Sequence, residues 1–182
     1  GTASQASLAR YAVNVLFDPG EAAGAAVETE ENPTLANLVG RADYQSRFGA
    51  LTTDFTMLKA GALHRANGGF LVLDARKVLL QPFAYEALKR CLHSREVRIE
   101  SPAQMLALLS TVAPEPEPVP LDVKVVLVGD RMLYYLLHQL DPDFRQLFKV
   151  QADFDDDTVR TAGSEALYAR LVATMVKAGG LR

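Results

Sequence analysis

Short apolar runs alternate along the chain with segments of helical spacing, the pattern of a parallel, three-layer α/β sheet whose functional loops gather at the strands' carboxyl ends. Two runs dominate. Phe70-Leu71-Val72-Leu73 is uninterrupted, starts after Gly68-Gly69 and closes on Asp74, which predicts a central parallel strand buried on both faces. Residues 123–128 form the second run and end at Gly129-Asp130. Upstream, Tyr11, Val13, Val15 and Phe17 alternate as in a strand, broken by Asp18-Pro19-Gly20. Residues 25–29 continue in extended form, and Asn32-Pro33-Thr34 supplies a cap for a short helix through Leu38, closed by Gly40.

No period is sustained over residues 41–59, which read as a long exposed connection of the kind that often carries function. Pro82 marks a first helical turn, with Phe83, Ala87, Leu88 and Cys91 on one face and Glu86, Lys89 and Arg90 elsewhere. Residues 96–100 alternate like a short edge strand, and the proline-rich residues 114–120 form an extended lead-in to the strand at 123–128. Residues 132–140 are helical, Asp141-Pro142 restarts the chain, and residues 150–154 are extended. After Asp155-Asp156-Asp157 a last helix carries Leu167, Leu171, Val172 and Met175 on one face and ends at Gly179-Gly180.

Composition narrows the function. The 182 residues hold 49% hydrophobic and 23% charged positions, ordinary for one globular domain and part of a second. A net charge of −3, with 19 Lys+Arg scattered among 22 Asp+Glu, argues against a general nucleic-acid binder. Cys91 is the single cysteine and cannot form an intramolecular disulfide; His64, His93 and His138 share no ligand spacing with it. With no leader and no apolar run of about 18 residues, the expectation is a soluble, cytoplasmic protein without membrane contact.

An apolar strand ending in aspartate is the Walker B arrangement, whose carboxylate reaches the magnesium of a bound nucleotide through water. A helix-capping carboxylate is the plainer alternative for Asp74. The next residue, Ala75, has no acceptor with which to polarise an attacking water.

The segment Ala60-Gly61-Ala62-Leu63-His64-Arg65-Ala66-Asn67-Gly68-Gly69-Phe70-Leu71-Val72-Leu73-Asp74 resembles the stretch preceding Walker B in Lon-type proteases. Asn32-Pro33-Thr34-Leu35-Ala36-Asn37-Leu38-Val39-Gly40-Arg41 and the segment from Glu117 to Asp130 extend the resemblance, which points to the archaeal-like Lon branch. It implies an incomplete AAA+ type, P-loop-like domain with a mainly parallel sheet. Residues 1–154 would be the C-terminal part of the large α/β subdomain and residues 155–182 the start of a helical lid. The implied whole is a homo-hexameric, ATP- and magnesium-dependent serine protease that threads unfolded protein substrates into a proteolytic chamber.

This chain holds neither the phosphate loop, since it has no Gly-Lys pair, nor a Ser-Lys dyad, Lys177 lying near the end of a helix. No catalytic residue and no bound cofactor is therefore expected in it. By the same resemblance Asp74 is the magnesium-side carboxylate and Asp130 stands at the sensor-1 position, commonly asparagine. Arg145 is the arginine-finger candidate, with Lys149 as runner-up and a plain surface cation as the alternative for either. Tyr44 and Phe48 are the candidates for pore-loop aromatics that would grip polypeptide, the alternative being that both rings pack onto their own domain. His64 and Arg65 belong to a short helix and take a structural or interface role. Ala75 and Asp130 leave open an ATPase-deficient scaffold, and an AAA+ remodeller without a protease domain is a third possibility.

Overall fold

The computed structural model describes residues 13–18, 24–43, 45–47, 50–52, 54–99, 116–155 and 157–180. The chain divides into two units, Gly1–Lys149 and Val150–Arg182.

The first unit is organised around a parallel sheet of three strands, β1 (Val27–Glu30), β6 (Phe70–Asp74) and β9 (Lys124–Val128), with β6 in the centre. Register is continuous across it: Glu30 lies opposite Leu73, Leu73 opposite Leu127, and Asp74 opposite Val128. The α/β class and the central, parallel placement of the Phe70 run agree with the sequence. Burial on both faces does not. Leu71 and Leu73 are buried, and Val125 and Leu127 pack with them, against α1 (Leu35–Val39), α2 (Ala62–Arg65) and α4 (Ala84–Ser94). The alternate positions Val27, Phe70, Val126 and Val128 are exposed, Val128 by 57%. A parallel sheet normally buries both faces, so this second face lacks cover among the described residues.

Local chemistry explains the helix ends. Thr34 accepts the N–H of Asn37 to start α1, and Gly40 closes it at φ +90°. Helix α3 (Ala75–Leu80), which the sequence reading did not anticipate, begins directly at Asp74. Its presence displaces the following helix: Pro82 lies outside it, Phe83 adopts a left-handed conformation at φ 63°, and α4 starts at Ala84.

The connection at 41–59 is more regular than its lack of period implied. Strand β2 (Arg41–Ala42) pairs antiparallel with β5 (Leu58–Lys59), and inside this pair β3 (Gln45–Arg47) meets β4 (Ala50–Thr52), so two short ladders are nested. Ladders of two and three residues are too short to show a hydrophobic period. Residues 11 and 12 lie outside the described residues, and residues 13–18 form no strand. Instead of pairing through its backbone, this segment is tied by Asn14, whose amide donates to the carbonyls of Phe55 and Leu58 at 2.8 and 3.1 Å. Of the edge strand expected at 96–100, Glu96–Val97 form β7, antiparallel to β8 (Val119–Pro120), residues 98–99 are not strand, and residue 100 lies outside the described residues.

The helices α5 (Arg131–Leu140) and α6 (Pro142–Leu147) follow β9. In the second unit α7 (Ala162–Ala178) is capped reciprocally by Thr161 and Ser164, and its Leu167, Leu171, Val172 and Met175 are all exposed. No helix among the described residues is long and apolar enough to cross a membrane.

His64 sits inside the core of the first unit. Its Nδ1 accepts the N–H of Gly61 at 3.3 Å, which puts the proton of the neutral ring on Nε2, and Nε2 has no hydrogen-bond partner. Burial, assisted by the neighbouring Arg65 charge, holds the His64 pKa below its usual value. The folded state therefore keeps the ring neutral while the unfolded chain titrates near pH 6.5. Stability from this group is full above pH 6.5 and is lost as the pH falls below it, at up to about 1.4 kcal/mol per pH unit until the folded ring protonates. Urea unfolding at pH 7.5 and 5.5 should show the loss in wild type and a smaller one in His64→Gln. Equal losses would sink the assignment.

Candidate functional site

The carboxyl ends of the parallel strands gather the residues of interest. Asp74 ends β6, and Asp130 follows β9 by two residues, so both carboxylates sit at the same end of adjacent strands. Each also caps the helix it precedes. Asp74 Oδ1 accepts the N–H of Lys77 at 2.9 Å, and Asp130 Oδ1 accepts that of Leu133 at 2.9 Å. Capping and ligand binding are compatible here, because both side chains are exposed and each cap engages one of two carboxylate oxygens.

Ala75 is buried, and a Cβ placed on Gly129 would approach its methyl to 3.2 Å. The small residue after Asp74 thus lets the Gly129 turn close over the strand ends.

The strand ends are kept level by Asn67-Gly68-Gly69. The Asn67 side chain donates to Pro120 O and accepts from Asp122 N–H, both at 2.8 Å, and Gly68 N–H donates to Asp122 O. The amide of Phe70 donates to Ala26 O, and that of Lys124 donates to Gly69 O. This motif joins all three strands at their amino ends. Arg65 adds an ionic tie, with Nε 2.5 Å from Glu28 and Nη2 3.2 Å from Glu30 on β1.

A family model described as the LonB-like AAA domain matches residues 23–155. The chain belongs to that family. A putative Lon protease homolog from Escherichia coli strain K12 is 27% identical over 148 residues, covering 78% of this chain and 24% of the relative, so the chain spans about a quarter of that relative's length. Among solved structures, the crystal structure of NtrX from Brucella abortus matches 69% of this chain and 25% of its own, at 18% identity and a TM-score of 0.42. The family match and the Escherichia coli relative bear out the resemblance to Lon-type proteins, and the chain carries a Lon-related AAA domain.

Within this LonB-like domain, Arg145 lies on α6, exposed and without a hydrogen bond or ion pair among the described residues. Lys149 is exposed beyond the helix end. Tyr44 and Phe48 lie outside the described residues; the ladders that flank them are β2–β5 and β3–β4.

Sequence reading missed a polar cluster. Lys89, placed on the exposed side by helical spacing, is only 8% exposed. Its Nζ lies 3.1 Å from Glu86, 3.2 Å from Asp141 and 3.5 Å from Asp143, and 4.8 Å from the centre of the Tyr85 ring. Burial alone would lower the Lys89 pKa, but bonds to Glu86 and Asp141 outweigh it and raise it. Burial likewise opposes the Asp141 charge, yet the Tyr85 hydroxyl and Lys89 hold that carboxyl below its usual value. Tyr85 is pushed up by burial and by donating to Asp141. The only sequence signal was the acidic pair around Pro142, whose partners are about fifty positions away.

Proposed function

We propose that this chain is part of the AAA+ motor of a longer, cytoplasmic Lon-like protease that hydrolyses ATP to unfold proteins and thread them into a proteolytic chamber. The observation that supports this most is the placement of Asp74 and Asp130 at one end of neighbouring parallel strands in a LonB-like AAA domain. A carboxylate at a parallel-strand end is a hard oxygen donor suited to a hydrated magnesium ion, and Asp74 has an oxygen left over from its cap. When bound, magnesium nucleotide supplies the phosphoryl group and the charge that the protein must offset.

This chain contributes the magnesium side of such a site and no phosphate cradle. In the proposal Asp74 would orient magnesium-bound water, and Asp130, at the sensor-1 position, could accept a hydrogen bond from the attacking water but, ionised, donate none to phosphate. Arg145 reaches the phosphates of a neighbouring copy in a homo-hexamer. Tyr44 and Phe48, in the connection at 41–59, would contact the moving polypeptide.

Ala75 and the capping role of Asp130 favour a second reading, an AAA+ scaffold that assembles the ring and admits substrate without hydrolysis. ATP turnover of the longer protein separates the two. Asp74→Asn keeps the helix cap, since asparagine and aspartate cap about equally, and is expected to lower turnover by about 100-fold or more without changing the melting temperature. A wild type that assembles yet does not hydrolyse ATP would replace the motor with the scaffold.

A further inference from the structure

Tyr85 and Lys89 stand one helical turn apart on α4 and converge on Asp141, the residue that caps α6. The Tyr85 hydroxyl donates to Asp141 Oδ2 at 2.6 Å, and Lys89 Nζ donates to the same oxygen at 3.2 Å. The other oxygen, Oδ1, accepts the N–H of Asp143 at 3.0 Å. Lys89 also reaches Asp143 Oδ2, and His93 Nε2 lies 3.8 Å from Asp143 Oδ1. Both Asp141 oxygens are thus engaged, and the Lys89–Asp141 pair at the centre of the network is largely buried while Asp143, Glu86 and His93 lie at its exposed rim, so the satisfied centre fixes one geometry.

A second anchor lies in the same helix. Phe144 is buried, stacked on Phe148 at 5.0 Å and edge-on to Tyr134 at 5.8 Å. Helix α6 is therefore held at its cap and at the residue before Arg145, while Arg145 projects into solvent. The same α4 is joined through α3 to Asp74, and it packs on both α3 and α6. A continuous set of contacts runs from the carboxyl end of β6 to the helix carrying Arg145.

We infer that Lys89, with Tyr85, is a positioning residue for Arg145, setting the helix that presents this cation to the phosphates of a neighbouring copy. A lysine only 8% exposed, held among three carboxylates, has the placement for such a role. The inference rests on the proposed trans role of Arg145 and deepens it, by naming what determines the cation's reach. Fixing the finger contributes to turnover by pre-organisation rather than by contact with nucleotide.

The test uses the longer protein, with ATP hydrolysis measured for wild type, Lys89→Met, Arg145→Ala and the double variant. Lys89→Met is expected to lower kcat about 10-fold with KM nearly unchanged, as misplacement of a reacting partner does. The double variant should be no slower than Arg145→Ala alone, and Lys89→Arg should restore most of the rate. Tyr85→Phe, which removes one hydroxyl and leaves the ring, should lower kcat a few-fold at an unchanged melting temperature; it decides the matter if Lys89→Met does not fold. Full kcat in both Lys89→Met and Tyr85→Phe beside a crippled Arg145→Ala overturns the positioning role alone. Multiplicative losses in the double variant do the same. Unchanged kcat in Arg145→Ala overturns the trans reading, and the positioning role with it.

Discussion

Arg145→Ala in the longer protein is expected to lower ATP turnover by about 10³-fold or more, the scale on which arginine fingers act on phosphoryl transfer. The side chain is exposed and partnerless among the described residues, so folding should be unaffected and the melting temperature should stay within about 1 °C of wild type. That separation of rate from stability identifies a residue kept for an external ligand. Lys149→Ala provides the comparison. It lies past the end of α6, away from the Asp141 anchor, and its removal should change turnover far less.

Action between copies makes a sharper demand. Arg145→Ala protomers and Asp74→Asn protomers should each be nearly inactive alone, yet mixing them should recover part of the turnover. Some interfaces would then pair an intact Asp74 from one protomer with an intact Arg145 from the next. Mixed assemblies no more active than the separate variants would refute the trans assignment, as would Arg145→Ala at wild-type rate.

The legible parts of this fold are those set by local pattern. Phe70-Leu71-Val72-Leu73 and the run ending at Val128 declare their strands, and Thr34 and Gly40 mark the ends of α1. The two strand-end aspartates could be named from sequence for the same reason. Exposure of the second sheet face could not, because apolar composition states what a face can bury and not what covers it. Lys89 was misplaced on a similar ground. Helical spacing assigns a lysine to the wet side unless distant carboxylates compensate its burial, and here two of them come from Asp141 and Asp143. The nested ladders at 41–59 depend on backbone pairing of two or three residues, which leaves no side-chain signature. Ala75 was read correctly as lacking an acceptor; its burial against Gly129 appears only when the strand ends are side by side.

Gly69→Ala should be among the most damaging single changes to this unit, and the contrast with Gly68 shows why. A methyl on Gly69 would overlap the carbonyl oxygen of Ala26 and lie 2.7 Å from its nitrogen, so it meets backbone at the entry to the neighbouring strand and not a side chain that can rotate away. Relief requires moving the entry to β1 away from β6, where Phe70 N–H donates to Ala26 O. On the far side Gly69 O holds Lys124 of β9, which limits movement in the other direction. The expected cost is about 3 kcal/mol, the upper part of the range for overpacking, or roughly 6–12 °C in melting temperature for a chain of this size. Gly68 stands at φ +80° with open space around its missing Cβ, so Gly68→Asn meets only the milder strain of a left-handed residue, about 1 kcal/mol. Because Asn67-Gly68-Gly69 levels the strands whose far ends carry Asp74 and Asp130, a Gly69→Ala protein that remains folded should also lose ATP turnover. Thermal unfolding of both variants, with turnover of the longer protein measured below their midpoints, tests the claim. If Gly69→Ala melts no lower than Gly68→Asn, the close approach of β1 and β6 does not constrain this position.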